Sequence, residues 1–107
     1  MDLKIQVKEI RGTCPVYKVG DHFTLKNGYQ LVSGIPVCMH ALSSLIPHYN
    51  AFRFTDPANW GAAGKDRRDS LYFQCLDPYE YTGGGTVIFE VTRVDHQEEA
   101  SEAESGK

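Results

Sequence analysis

The chain has 107 residues, of which 41% are hydrophobic and 11% aromatic, and its formal net charge is −3. This length suits one domain with one core, and the slightly acidic charge excludes the basic surface of a nucleic-acid-binding protein. No apolar run approaches the roughly 18 residues that cross a bilayer, and the N-terminus has no signal peptide, so we expect a cytoplasmic protein without membrane association.

The first third of the chain has the pattern of an antiparallel sheet. Apolar and polar residues alternate over residues 3–8, which predicts a half-buried strand that ends or bulges near Glu9. Residues 22–25 predict a second, short strand. Asn27-Gly28 follows it and is the preferred pair for a tight hairpin turn, so the residues after the turn are predicted to return alongside the second strand.

The clearest helix of the sequence is predicted between Pro36 and Ile46. Ser33 and Gly34 can cap it, Pro36 suits the first helical position, and Pro47 ends it. One apolar stripe repeats at the spacing of successive helical turns. It comprises Cys38, Leu42, Leu45 and Tyr49.

The second half of the chain is predicted to contain a long loop and two further strands. Residues 50–69 hold several helix breakers and predict a surface loop held down by Phe52, Phe54 and Trp60. Residues 70–75 and 86–94 show strand patterns, and the second of these is apolar enough for a central position.

These elements predict one α+β domain over residues 1–95. We expect a small, mostly antiparallel sheet that includes the first and last strands, with one principal helix packed on it. The acidic residues 96–107 lack large apolar side chains and are predicted to form a disordered tail.

The three cysteines, Cys14, Cys38 and Cys75, all fall at the ends of predicted elements. Element ends are where separate segments of a chain can meet. An odd number of cysteines in a reducing compartment favours free thiols or metal ligands over disulfides. A cysteine at the start of a helix is also biased toward the thiolate, the form that binds metal. We therefore expect the three thiols to converge.

One interpretation of converging thiols is a metal centre formed by Cys14, Cys38 and Cys75, with zinc as the first expectation and an iron–sulfur cluster as the second. A closed zinc site needs a fourth ligand, and His40 is the nearest candidate. Two residues along a helix are about 200° apart, so Cys38 and His40 reach one ion only if residues 36–39 form a turn. Three thiols could instead leave a position open for water, substrate or a partner. Further candidates for the fourth ligand are His22, His48 and Asp77.

Two other interpretations remain open, because the chain has no Cys-x-x-Cys pair to specify a metal site. Cys38 is the best candidate for a catalytic nucleophile, given its place at a helix end. Alternatively, the cysteines pack as small hydrophobic residues in a non-catalytic binding module. The segment 50–69 with Trp60 would then be the contact surface.

Three segments carry a resemblance to other proteins: Cys14-Pro-Val-Tyr-Lys-Val-Gly-Asp21, Cys38-Met-His-Ala-Leu42 and Cys75-Leu-Asp-Pro78. Together with the closing strand they resemble a family of short, functionally uncharacterised prokaryotic proteins of about this length. The resemblance covers roughly residues 3–95 and implies that the three cysteines belong together, but it implies no particular reaction. We therefore expect a metal-binding or thiol-containing accessory protein that serves a larger protein partner.

Overall fold

The computed structural model describes residues 2–94, and over this range the chain has a small α+β fold. Five strands form one antiparallel sheet in the order β3-β2-β1-β5-β4. The first and last strands both belong to this sheet, as predicted, and they lie side by side. The predicted tail over residues 96–107 lies outside the described residues. The strands are β1 (Asp2–Gly12), β2 (His22–Lys26), β3 (Gln30–Val32), β4 (Leu71–Gln74) and β5 (Gly85–Val94).

The central pair β1 and β5 follows from their alternating sequences. Ile5 lies opposite Val91 and Val7 lies opposite Phe89, so apolar side chains of both strands share one face of the sheet. The register shifts between Val7 and Glu9, which confirms the predicted bulge.

Glycine is required where the far ends of β1 and β5 meet. Gly12 lies opposite Gly85, and its φ of 76° is in the left-handed region that favours glycine. A Cβ atom on Gly85 would lie only 2.2 Å from the carbonyl oxygen of Thr13. Gly12 and Gly85 therefore allow the two backbones to approach closely.

The predicted hairpin forms between β2 and β3. Asn27 and Gly28 both have positive φ angles, 58° and 82°, as the tight turn requires. The returning strand β3 is an edge strand whose three residues are all exposed. The opposite edge, β4, is partly covered, because the N–H of Tyr72 donates a hydrogen bond to the carbonyl of Ala62 at 3.0 Å.

The helices are shorter and more numerous than predicted. They are α1 (Met39–Leu45), α2 (Tyr49–Phe54), a 3₁₀ helix (Pro57–Trp60) and α3 (Tyr79–Thr82). Within residues 2–94, none of the helices is both long enough and apolar enough to cross a membrane.

The predicted start of the principal helix is wrong. Cys38, not Ser33 or Gly34, is the N-cap residue of α1, and Pro36 lies before the helix. The reason is local, because the Ser33 hydroxyl forms a separate turn in which it donates to the Ile35 carbonyl and accepts from the Ile35 N–H. The apolar stripe is also interrupted, since Tyr49 begins α2 instead of continuing α1.

The predicted loop over residues 50–69 is also wrong, because it contains most of α2 and all of the 3₁₀ helix. Phe52 is fully buried, as expected, whereas Phe54 is 76% exposed. Residues two apart on a helix point in nearly opposite directions, so both phenylalanines cannot reach the core. The segment is held to the sheet by Arg93 of β5, which donates hydrogen bonds to the carbonyls of Phe52 and Thr55.

The core lies on the face of the sheet that the helices cover. Leu45 of α1 is 1% exposed, and burying a side chain of this size stabilises the fold by about 1.5–3 kcal/mol. The sheet contributes most of the rest. Its fully or almost fully buried apolar residues include Leu3, Ile5, Val7, Phe23, Leu71, Val87, Phe89 and Val91.

Candidate functional site

The first cysteine lies in a tight turn after β1. The backbone N–H of Tyr17 donates a hydrogen bond to the Cys14 sulfur at 3.4 Å, and Cys14 itself is half-buried. This turn carries the Tyr17 side chain into the core, where only 4% of the residue is exposed. The Tyr17 ring meets the Phe89 ring edge-on, with 5.4 Å between their centroids.

The second cysteine joins this turn to the start of α1. Cys38 has an extended backbone, and its N–H donates a hydrogen bond to the Tyr17 hydroxyl at 2.8 Å. Its carbonyl accepts the bond from the Leu42 N–H, while its side chain makes no capping hydrogen bond. The Tyr17 hydroxyl thus ties the helix start to the loop that holds Cys14, and the half-buried Cys38 thiol is not used for capping.

The third cysteine follows β4 directly and is buried. The N–H of Cys75 donates to the carbonyl of Val87 at 2.9 Å, and its own carbonyl accepts from the Thr86 hydroxyl at 3.3 Å. Both backbone groups are therefore paired with β5, so the position of Cys75 is set by the sheet.

All three cysteines influence the pKa of the Tyr17 hydroxyl. Burial is the main cause that raises the pKa of Tyr17 above its usual value, and the N–H of Cys38 opposes this rise. Charge repulsion from Cys38, Cys14 and Cys75 raises the pKa of Tyr17 further. All three cysteines therefore lie within electrostatic reach of one buried hydroxyl, and all three are free.

The predicted metal set is not assembled in this geometry. Within residues 2–94, no three or more His, Cys, Asp or Glu side chains are arranged to hold a metal ion. The assignment of Cys14, Cys38, Cys75 and His40 as metal ligands stays a prediction. Cys38 is extended and lies just before α1. The rotation of about 200° between two residues of one helix therefore does not apply to Cys38 and His40.

The other predicted fourth ligands have separate surroundings. His22 lies opposite Gln6, one residue out of phase with the core-facing Phe23 of the same strand. The His48 ring lies against the Trp60 ring, with 6.0 Å between centroids. Asp77 accepts hydrogen bonds from the Thr82 hydroxyl and the Gly85 N–H, so it orders the chain around α3.

Tyr17 is the site residue that sequence reasoning missed. The sequence signal for Tyr17 is its position three residues after Cys14, in a segment that Pro15 keeps from regular structure. Nothing in the pattern, however, distinguishes a tyrosine that turns inward from the exposed tyrosines elsewhere in the chain. Its contact with Cys38 spans 21 residues of sequence and depends on the assembled fold.

A polar cluster of Tyr72, Arg67 and Glu90 lies on the face of the sheet opposite the core. Glu90 is only 4% exposed, and its carboxylate accepts a hydrogen bond from the Tyr72 hydroxyl. The Arg67 guanidinium lies 3.4 Å from the same carboxylate oxygen. The hydrogen bond to Glu90 is the main cause that raises the pKa of Tyr72 to about 12, and Arg67 opposes this rise.

Comparison with family models, curated proteins and solved structures gives no match to this chain. Fold and site define a small α+β domain with three free cysteines that pack in or against the core cluster of Tyr17. The resemblance to the family of short prokaryotic proteins stays a prediction.

Proposed function

We propose that this protein is a small cytoplasmic accessory protein whose Cys14, Cys38 and Cys75 act together as one thiol site. The observation that carries the proposal is the packing of all three cysteines in or against the core cluster that contains Tyr17, which also hydrogen-bonds to Cys14 and Cys38. A reducing compartment keeps such thiols free. Their ligand class is a thiophilic species, and a zinc ion delivered to or received from a larger protein partner is the first candidate.

Two features support thiols that act together and are not only packed as apolar side chains. Cys14 and Cys38 are half-buried, so neither residue is enclosed in the core. A cysteine side chain turns about a single bond between staggered positions, so its sulfur can be redirected without moving the backbone. Binding would then draw the thiols together from their separate positions around Tyr17.

The test measures zinc binding by untagged protein purified under reducing conditions. We expect saturable, stoichiometric zinc that raises the melting temperature, and a chelator that reverses the rise. Single Cys14→Ser and Cys38→Ser variants should each weaken binding by at least about tenfold, because each removes a thiolate ligand. Cys75→Ser should do the same, with its folding checked first because Cys75 is buried.

Two histidine variants form the matched control. His40→Ala should weaken zinc binding, because His40 is the predicted fourth ligand beside Cys38. His22→Ala should leave binding unchanged, because His22 projects from β2 opposite Gln6 and away from the core-facing Phe23. Absence of bound zinc, together with a melting temperature that a chelator does not change, would contradict the zinc proposal.

A further inference from the structure

An open cavity of about 290 Å³ lies between the end of α1, the 3₁₀ helix and β4. Neither Tyr17 nor any of the three cysteines lines it, so it is separate from the thiol site. Its lining side chains include no carboxylate, lysine or arginine. The lining residues are Ser44, Leu45, His48, Trp60, Ala62, Leu71, Tyr72 and Phe73.

Two aromatic walls of the cavity are held in place by contacts outside it. The indole N–H of Trp60 donates a hydrogen bond to the Thr55 hydroxyl at 3.1 Å, and that hydroxyl donates to the Ala51 carbonyl. The Phe73 ring stacks on the buried Phe89 ring, with 4.7 Å between centroids and 11° between planes. A ligand therefore meets surfaces that are already ordered, which lowers the entropy lost on binding.

Two polar side chains at the cavity are available to a ligand. His48 is the N-cap residue of α2, yet its side chain makes no capping hydrogen bond and instead lies against Trp60. Ser44 is half-buried, and among residues 2–94 its hydroxyl has no hydrogen-bond partner. An imidazole and a hydroxyl beside an apolar wall can bind one polar group of a ligand.

We propose that this cavity binds a small, uncharged, planar aromatic molecule of one or two rings that carries one hydrogen-bonding group. The size follows from volume, since an apolar cavity of about 150 Å³ holds a benzene ring. The planar shape matches the aromatic walls formed by Trp60 and Phe73. The lack of a charge follows from the uncharged lining, and the polar group would contact His48 or Ser44.

The test titrates the protein with four probes and follows the indole N–H resonance of Trp60, the single tryptophan of the chain. The probes are phenol, 2-naphthol, benzene and cyclohexanol. We expect saturable shifts with 2-naphthol and phenol, and affinities for benzene and cyclohexanol that are at least about fivefold weaker, because each lacks one recognised feature. Equal affinity for benzene and phenol would overturn the proposal.

Variants of the lining residues locate the binding site. His48→Ala should weaken phenol binding by about fivefold through loss of a hydrogen bond, whereas His22→Ala should leave it unchanged. Ala62→Leu should abolish binding by filling the cavity. If Ala62→Leu fails to fold, Ser44→Leu fills the cavity from its half-buried edge and should have the same effect. No saturable shift in the parent protein, or full binding by the filled variants, would overturn the proposal.

Discussion

At the scale of single residues, Glu90 is a buried carboxylate whose side-chain partners come from two other segments of the chain. It is buried on the face of the sheet opposite the aromatic core, where it accepts a hydrogen bond from the Tyr72 hydroxyl and lies 3.4 Å from Arg67. A buried carboxylate without such partners would strongly destabilise the fold. Tyr72 therefore stabilises the fold by donating a hydrogen bond to Glu90, which the sequence pattern does not predict.

Tyr72→Phe removes the hydrogen bond to Glu90 and retains the ring. We expect the free energy of unfolding at neutral pH to fall by about 1–3 kcal/mol, because a buried acceptor loses its donor. Urea unfolding of both proteins measures this difference. Tyr29→Phe is the control, since Tyr29 is 78% exposed, and it should change stability by less than about 0.5 kcal/mol.

The same contact predicts a pH dependence. Because folding raises the pKa of Tyr72 from 10.0 to about 12, the folded state favours the protonated phenol. Its contribution to stability is complete below pH 10.0 and is lost as the pH rises toward about 12. Tyr72→Phe should lack this alkaline loss. An unchanged alkaline profile in the variant would contradict the assignment.

At the scale of elements, one arginine connects the end of α2 to β5. Arg93 donates hydrogen bonds to the carbonyls of Phe52 and Thr55, and its guanidinium lies 4.2 Å from the centre of the Phe52 ring. These are carbonyls of the last helical turn, which a cation stabilises. The six-residue helix is too short to be stable without tertiary contacts.

Arg93→Met retains an apolar stem but removes all three hydrogen bonds to the carbonyls of Phe52 and Thr55. We expect the free energy of unfolding to fall by about 1–3 kcal/mol and the amide hydrogens of α2 to exchange faster. Hydrogen exchange measured by NMR tests both effects. Arg11→Met is the control, because Arg11 forms an exposed pair with Glu9 and its loss should change stability much less. Equal effects of the two substitutions would contradict the attachment by Arg93.

The strands were more predictable than the helices for a physical reason. Alternation in β1 and β5 has a period of two, which is visible over short segments, and the Asn27-Gly28 turn has a specific backbone requirement. The start of α1 depended instead on Ser33, whose hydroxyl could cap a helix or form a turn with Ile35. That choice depends on surroundings that the local sequence does not contain.

At the scale of the whole molecule, Phe89 lies at the centre of the aromatic core. It is fully buried and its ring contacts those of Tyr17, Phe23 and Phe73. The chain segments that carry these rings are far apart in sequence. Strand patterns could therefore predict that Phe89 faces inward but not which rings contact it. Likewise, the sequence could not predict that Cys14 and Cys38 hydrogen-bond to Tyr17.

Phe89→Ala should lower the free energy of unfolding by about 3–5 kcal/mol, because it leaves a cavity beneath three aromatic rings. This is a large share of the 5–15 kcal/mol that is typical of a domain, so partial unfolding at room temperature is expected. Thermal and urea unfolding measure the loss. Tyr81→Ala, at a position 91% exposed, should have little effect, and a similar loss in both variants would contradict the central role of Phe89.

The position of Phe89 also has a thermodynamic consequence. The Phe89 ring contacts Tyr17 on one side, and on another side it contacts Phe73, which lines the cavity between α1, the 3₁₀ helix and β4. A shift of the Phe89 ring would therefore alter its contacts with Tyr17 and Phe73 at the same time. If the two proposed ligands were coupled through this ring, linkage would require each to change the affinity of the other by the same factor.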